Sequence, residues 1–210
     1  MIQKTHEVFV VMTCRSSIYR LVALIVVAFL LSGCGPMTAQ NPGAGLSPVN
    51  AIDSETDDHL MLFGADVVAY FTENRYVQGS AEHRSEYEEV DFYFSSAANK
   101  ALFDANPIAY IPQYGGYCTN GVVFGIPWGG NAEDFIVHDG KLYIFGGELS
   151  KQAVLLDLEK NLALSDRYWE EEIKGNNSFW QRVRRLIIRV PHYQSGSDQA
   201  AAVEAALKGQ

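Results

Sequence analysis

The stretch that most constrains the fold of this chain is Pro112-Gln113-Tyr114-Gly115-Gly116-Tyr117-Cys118. Glycine adopts backbone conformations that other residues avoid, so a glycine pair between aromatic residues predicts a tight turn. Glycines beside a cysteine also allow close backbone approach and can point amide N–H groups at the sulfur. We therefore expect the segments on either side of this turn to be organised around Cys118.

Length and composition predict one folded domain with appendages. The chain has 210 residues, of which 48% are hydrophobic and 20% are charged, values typical of a globular protein. Its net charge of −9 argues against a nucleic-acid partner, because phosphate binding needs clustered Lys and Arg across the contact face.

The first 33 residues have the pattern of a secretory signal peptide. Residues 21–31 form an apolar run that is too short to span a bilayer, which takes about 20 residues. Basic residues precede the run, and small residues follow it. The sequence Leu31-Ser32-Gly33-Cys34 resembles a bacterial lipobox, which predicts a mature lipoprotein that begins at a lipidated Cys34. The alternatives are an uncleaved anchor or a plain secretory cleavage.

The predicted location is the bacterial cell envelope, facing the periplasm. Gly35 follows the lipidated cysteine, whereas Asp at that position tends to retain lipoproteins at the inner membrane of enteric bacteria. This favours the outer membrane over the inner one. The predicted partner of Cys34 is therefore a membrane.

Only one free thiol is expected in the mature protein. Of the three cysteines, Cys14 leaves with the signal and Cys34 carries lipid, so Cys118 has no intramolecular disulfide partner. Such a thiol is buried and inert, a metal ligand or a redox site.

The remaining sequence predicts an α+β domain of short antiparallel strands and hairpins with flanking helices. Residues 34–58 have the composition of a flexible tether, and residues 59–174 form the domain. Residues 66–71 predict a strand or a buried turn, residues 87–94 alternate like a half-buried strand, and residues 97–105 predict a helix capped by Ser95-Ser96. Asp139-Gly140 predicts a two-residue hairpin turn. Further helical runs cover residues 149–161 and 164–174.

Residues 175–193 predict a basic amphipathic helix. One face would carry Phe179, Trp180, Val183, Leu186, Ile187 and Val190, and the other Arg182, Arg184, Arg185 and Arg189. Two interpretations are open: the helix lies in an anionic membrane interface through these residues, or it packs on the domain like an ordinary surface helix. Residues 194–210 form a polar, alanine-rich tail.

Four blocks of the predicted domain are similar to segments of one known family. They are Asp66-Val67-Val68-Ala69-Tyr70-Phe71, the block that starts Phe94-Ser95-Ser96-Ala97-Ala98-Asn99, the seven residues 112–118, and Asp139-Gly140-Lys141-Leu142-Tyr143. They resemble the YHS domain family, in its exported bacterial branch of YHS domain-containing (seleno)proteins. The resemblance covers about residues 60–169, and residues 112–118 are its most specific part.

The resemblance implies a binding module for a transition metal or another small ligand, centred on Cys118. Metal-handling members place two cysteines where this chain has Ser95 and Asn99, and a hydroxyl and an amide cannot replace thiolates as ligands of soft ions. Selenocysteine in some members favours a functional Cys118. The ligand-binding candidates are Cys118, Tyr114, Gly115, Gly116, Tyr117 and Trp128, with Phe124 as a further aromatic wall.

Two histidines inside the domain are candidate partners of Cys118. A copper or zinc ion would use Cys118 with His138 and His83. The sequence has no phosphate loop, nucleophile elbow or paired-carboxylate motif, which favours a non-catalytic protein. The alternatives are a thiol redox protein that uses Cys118 and a structural or interaction lipoprotein of the envelope.

Overall fold

The structure is a computed structural model that describes residues 51–53 and 59–209. The predicted signal peptide, the lipidation site at Cys34 and most of the predicted tether lie outside these residues. The described chain is a small α+β fold with helices and short strands, as the sequence predicts, and it includes the C-terminal amphipathic helix. None of the helices in this part of the chain is long and apolar enough to cross a membrane.

The first sheet has four strands in the order β1-β2-β4-β3. They are β1 (Ala51–Asp53), β2 (His59–Met61), β3 (Ser80–Tyr87) and β4 (Val90–Phe94). Strands β1 and β2 are antiparallel, β2 and β4 are parallel through Leu60 and Asp91, and β3 and β4 are antiparallel. The apolar face of this sheet packs on the first core, around Met61, Phe92, Phe94 and Phe103.

The predicted strand over residues 87–94 is confirmed for Val90–Phe94, but it does not include residues 87–89. Strand β3 ends at Tyr87, and β4 begins at Val90 as its antiparallel partner. Glu88 and Glu89 lie between them with φ angles of 53° and 61°. This left-handed backbone reverses the chain, and glutamate gives no sequence signal for it because it rarely adopts that conformation.

Asp66 ties the segment after β2 to the segment after β4. A 3-10 turn, Leu62–Gly64, and a short helix α1 (Ala69–Thr72) flank it, so residues 66–71 form a buried turn and not a strand. The buried Asp66 carboxylate accepts hydrogen bonds from the Val68 and Ala69 amides. It also accepts bonds from the amide and hydroxyl of Ser95 and from the Asn99 side chain. One carboxylate therefore fixes both turns.

Helix α2 (Ala97–Ala105) follows, and its prediction is confirmed. The Ser96 hydroxyl accepts a hydrogen bond from the Asn99 amide, which is the expected N-cap. Two 3-10 turns, Pro107–Ala109 and Gln113–Gly116, then lead to Cys118. Tyr114, Gly115 and Gly116 all have left-handed φ angles, of 54°, 59° and 76°.

The second sheet is the predicted Asp139-Gly140 hairpin. Strands β5 (Asn131–His138) and β6 (Lys141–Phe145) are antiparallel, and His138 pairs with Lys141 across the turn. Asp139 and Gly140 have φ angles of 48° and 70°, as a type I′ turn requires. Strand β6 lies between two cores, because Leu142 and Ile144 pack in the first and Tyr143 and Phe145 in the second.

Helices form the second half of the domain. They are α3 (Thr119–Val123), α4 (Glu148–Leu155), α5 (Leu158–Tyr168), a π-helical turn (Trp169–Ile173), α6 (Ser178–Ile187) and α7 (Gly196–Lys208). The first predicted run, residues 149–161, therefore contains a break between α4 and α5. The tail forms helix α7, which a Ser195–Asp198 capping box starts and which packs against α4.

Candidate functional site

Cys118 lies between the left-handed turn and α3, in backbone contact with β6. Its amide donates to the Trp128 carbonyl at 2.9 Å, and it forms an isolated parallel bridge with Ile144. The Gly146 amide donates to Sγ of Cys118 at 3.0 Å. A Cβ atom at Gly146 would lie 3.3 Å from that sulfur, so glycine allows the close approach. The end of β6 therefore holds the thiol.

The thiol is buried but receives several hydrogen-bond donors. Cys118 is 4% exposed, and burial raises the pKa of its thiol because a thiolate is poorly solvated there. Hydrogen bonds from the Gly121, Gly146 and Asn120 backbone and from the Ser150 side chain oppose this rise in the pKa. Desolvation is the larger effect, so the resting thiol is protonated at neutral pH.

Cys118 contributes to the lining of a pocket of about 400 Å³. Apolar and aromatic side chains line one part of it, and amides, a hydroxyl and glycines line the rest. None of the described lining residues is Asp, Glu, Lys, Arg or His. The lining consists of Cys118, Asn120, Gly121, Phe124, Ile126, Trp128, Gly129, Gly146, Ser150, Leu186, Tyr193, Gln194, Gly196 and Gln199.

Two amide side chains bring distant parts of the chain together at this pocket. Nδ2 of Asn120 donates to Oε1 of Gln199 at 2.9 Å, and Nε2 of Gln199 donates to Oδ1 of Asn120 at 3.2 Å. Asn120 belongs to α3 and Gln199 to α7. The pair therefore connects the helix that begins at Cys118 with the last helix of the protein.

Some of the predicted ligand-binding residues line the pocket, and the others lie in the preceding turn or in the second core. Cys118, Trp128 and Phe124 line the pocket. Gly115 and Gly116 form the preceding turn, and Tyr117 is buried in the second core. Tyr114 is also buried there, and its hydroxyl donates to Oδ1 of Asp166 at 2.8 Å. Burial and this bond raise the pKa of Tyr114, so its phenol stays protonated.

The predicted metal ligands lie apart from this pocket. His138 is near the hairpin turn, with Nε2 3.2 Å from Glu159 and 3.7 Å from Asp139, and His83 is on β3. Neither lines the Cys118 pocket, and the described residues contain no group of three or more His, Cys, Asp or Glu that could hold a metal ion. The backbone N–H groups that bond to Sγ are donors, and a backbone N–H cannot ligate a cation. The surroundings of Cys118 do not fit copper or zinc.

Ser95 and Asn99 do not line the Cys118 pocket. Both side chains donate to the Asp66 carboxylate, at 2.6 Å and 2.7 Å. They form a buried polar cluster that joins two turns of the fold.

The sequence did not single out Asn120, Gly146, Ser150 or Gln199. Gly146 and Ser150 follow the predicted hairpin. They come close to Cys118 because Ile144 of β6 forms a parallel bridge with Cys118, and such a long-range pairing has no local sequence pattern. Asn120 and Gln199 are 79 residues apart, so only the tertiary fold reveals their pairing.

Comparison of the chain with protein-family models, curated proteins and solved structures finds no match. The YHS resemblance therefore stays a prediction from the sequence blocks.

Proposed function

We propose that this protein is an exported, lipid-anchored, YHS-like binding module that takes a small uncharged ligand beside Cys118. The observation that carries the proposal is the pocket of about 400 Å³ to which the Cys118 thiol contributes. Export and attachment through Cys34 rest on the signal and lipobox patterns of the sequence.

The chemistry of the lining supports an uncharged ligand. A charged ligand that leaves water needs an opposite charge or several strong hydrogen bonds. The described lining has no ionisable side chain except the Cys118 thiol and the Tyr193 phenol, and it combines rings with amides. Such a lining suits a molecule with an apolar body and a few hydrogen-bonding groups.

Pocket filling tests this proposal. Saturation-transfer NMR on the purified full chain would measure binding of benzamide, with benzoate and benzylamine as charged analogues. Ser150→Leu adds apolar volume beside the thiol and should abolish benzamide binding. Gln152→Leu is the matched control, because it adds a leucine to the same helix outside the lining, and it should bind like the wild type. Equal binding by the two variants, or preference for a charged analogue, contradicts the proposal.

A thiol redox role is a second candidate, favoured by the N–H groups directed at the sulfur. Hydrogen bonds from Gly146 and from the start of α3 stabilise a thiolate once it forms. A peroxide would oxidise the thiolate to a sulfenate and leave as an alcohol or water. After the sulfenate takes up a proton, an external thiol would attack the sulfenic acid sulfur, form a mixed disulfide and release water. Rapid oxidation of Cys118 by hydrogen peroxide, measured by mass spectrometry, supports this candidate, and slow oxidation removes it.

A further inference from the structure

Helix α6 packs on the domain with its polar side. Ser178, Gln181 and Arg185 are buried, at 2%, 5% and 8% exposure. On the apolar side, Trp180 is 66% exposed, Leu186 is 52% exposed and Ile187 is 77% exposed, and Ile188 continues this surface beyond the helix at 61%. An ordinary surface helix buries its apolar stripe and exposes its polar one. We call these four apolar residues the α6 surface.

Specific contacts explain why the polar side faces inward. Nε of Arg185 donates to Oε2 of Glu172 at 2.9 Å, and its second guanidinium nitrogen bonds the other carboxylate oxygen. Nε2 of Gln181 donates to the same Oε2 at 2.9 Å and to the Gly125 carbonyl at 3.0 Å. The Arg185 guanidinium also lies 5.5 Å from the centre of the Tyr168 ring. These contacts fix the rotation of α6, so the exposure of its apolar stripe is built into the fold.

Three arginines, Arg182, Arg184 and Arg189, lie next to the α6 surface in the sequence, and Arg184 is 3.8 Å from Glu172. Residues 175–194 contain four arginines and neither Asp nor Glu, although the whole chain has a net charge of −9. Arg185 is buried with Glu172, while Arg184 and Arg189 are exposed and Arg182 is half-buried. The Arg182 guanidinium lies 6.0 Å from the Trp128 ring centre, and that of Arg189 lies 4.3 Å from the Tyr193 ring centre.

We propose that the α6 surface docks on an anionic lipid bilayer, with Trp180, Leu186, Ile187 and Ile188 in the interface and Arg182, Arg184 and Arg189 toward the headgroups. Apolar and aromatic side chains beside arginines give a helix affinity for an anionic interface, and each arginine adds electrostatic attraction. A symmetric pairing of two copies would instead bring the two arginine groups toward each other, which opposes association. Charge complementarity therefore favours the lipid over a second copy.

The proposed interface is continuous with the Cys118 pocket. Leu186 contributes to both the α6 surface and the pocket lining. Docking would bring one wall of the pocket to the lipid surface. Leu186 connects the α6 surface with the pocket whichever small molecule the pocket binds.

Depth-dependent quenching of Trp180 tests the proposal in the full chain. The protein would be mixed with vesicles of phosphatidylcholine alone or with phosphatidylglycerol added, each containing brominated lipid. We expect quenching in the anionic vesicles and its loss in Trp180→Phe, which leaves Trp128 and Trp169 as background. This readout reports α6 itself, even where other segments bind the vesicle.

Two sets of variants separate the apolar and charged contributions. Ile187→Gln should weaken the Trp180 contact with lipid about tenfold, because it removes a large apolar side chain from the interface. Ile108→Gln is the matched control, since Ile108 is 74% exposed elsewhere on the domain, and it should have no effect. Replacement of Arg182, Arg184 and Arg189 by Gln should lower the preference for anionic vesicles about fivefold per arginine.

Three results would overturn the proposal. The first is a quenching signal that is unchanged in Trp180→Phe, and the second is equal quenching in neutral and anionic vesicles. The third is a combination of two observations: lipid does not quench Trp180, and the protein self-associates in sedimentation unless Ile187 is replaced by Gln. In that case a second copy of the chain, and not lipid, would cover the α6 surface.

Discussion

Two buried residues, Asp66 and Cys118, have different roles. The Asp66 carboxylate is fully buried and accepts five hydrogen bonds from two segments, residues 68–69 and 95–99, which it therefore holds together. The Cys118 thiol is almost as buried, but it borders a pocket. Because the surroundings of Asp66 and Cys118 differ, we expect substitutions of these two residues to change the stability of the protein in different ways.

Asp66→Asn should destabilise the fold by roughly 2 to 3 kcal/mol, because hydrogen bonds to a charged group are strong and an amide nitrogen faces donors. The measurement is the free energy of unfolding in urea. Asp139→Asn is the matched control, since Asp139 is exposed in a turn that asparagine also suits, and its effect should be near zero. Equal effects of the two substitutions would contradict the role given to Asp66.

The pH dependence of stability should reveal the raised pKa of Cys118. The folded protein holds the thiol proton more tightly than the unfolded chain, whose cysteine titrates near pH ~8.5. Stability from this group is therefore complete below that pH and falls as the pH rises toward the folded pKa. The difference in unfolding free energy between wild type and Cys118→Ala should shrink in that alkaline range. A difference that grows there would mean that the folded protein favours the thiolate.

Local sequence signals predicted some of these residues but not others. Ser96 as an N-cap and Asp139-Gly140 as a turn are set by the backbone beside them, so both were predictable. The five groups that donate hydrogen bonds to Asp66 belong to two segments about 30 residues apart. No local sequence pattern predicts that these segments lie together.

At the scale of elements, amphipathicity predicted helix α6 but not its orientation. The pattern separates an apolar face from an arginine face, and packing usually places the apolar face inward. Here the Glu172–Arg185 pair and Gln181 determine the orientation, and Glu172 lies in a different element. The sequence pattern cannot show such a pairing, so both interpretations of the helix were open.

Arg185→Ala should detach α6 from the rest of the domain. The Glu172 carboxylate is largely buried, and the substitution removes its main partner. Loss of one member of a buried ion pair costs about 3 to 5 kcal/mol. Hydrogen exchange of the α6 amides, followed by mass spectrometry, would measure the change. Arg184→Ala is the control, since that side chain is 54% exposed and lies 3.8 Å from Glu172, and it should leave exchange nearly unchanged. Similar exchange in both variants would contradict the anchoring role of Arg185.

At the scale of the whole molecule, strand β6 connects the two cores and holds the candidate site. Alternate side chains of β6 enter different cores, and the residue after its end bonds the Cys118 sulfur. The sequence predicted the hairpin and singled out Cys118 as a candidate ligand-binding residue. It could not predict the pocket, because α3, α4 and α7 contribute walls that only tertiary packing brings together.

Alkylation of the Cys118 thiol tests whether this residue borders a small-molecule pocket. The native full chain would be treated with iodoacetamide, with and without benzamide, and the rate for the Cys118 peptide followed by mass spectrometry. We predict slow alkylation that benzamide inhibits in a saturable manner, with no such protection in Ser150→Leu. Alkylation of Cys118 only after global unfolding, or at a rate that benzamide does not change, would show that this thiol does not border a pocket for such a ligand.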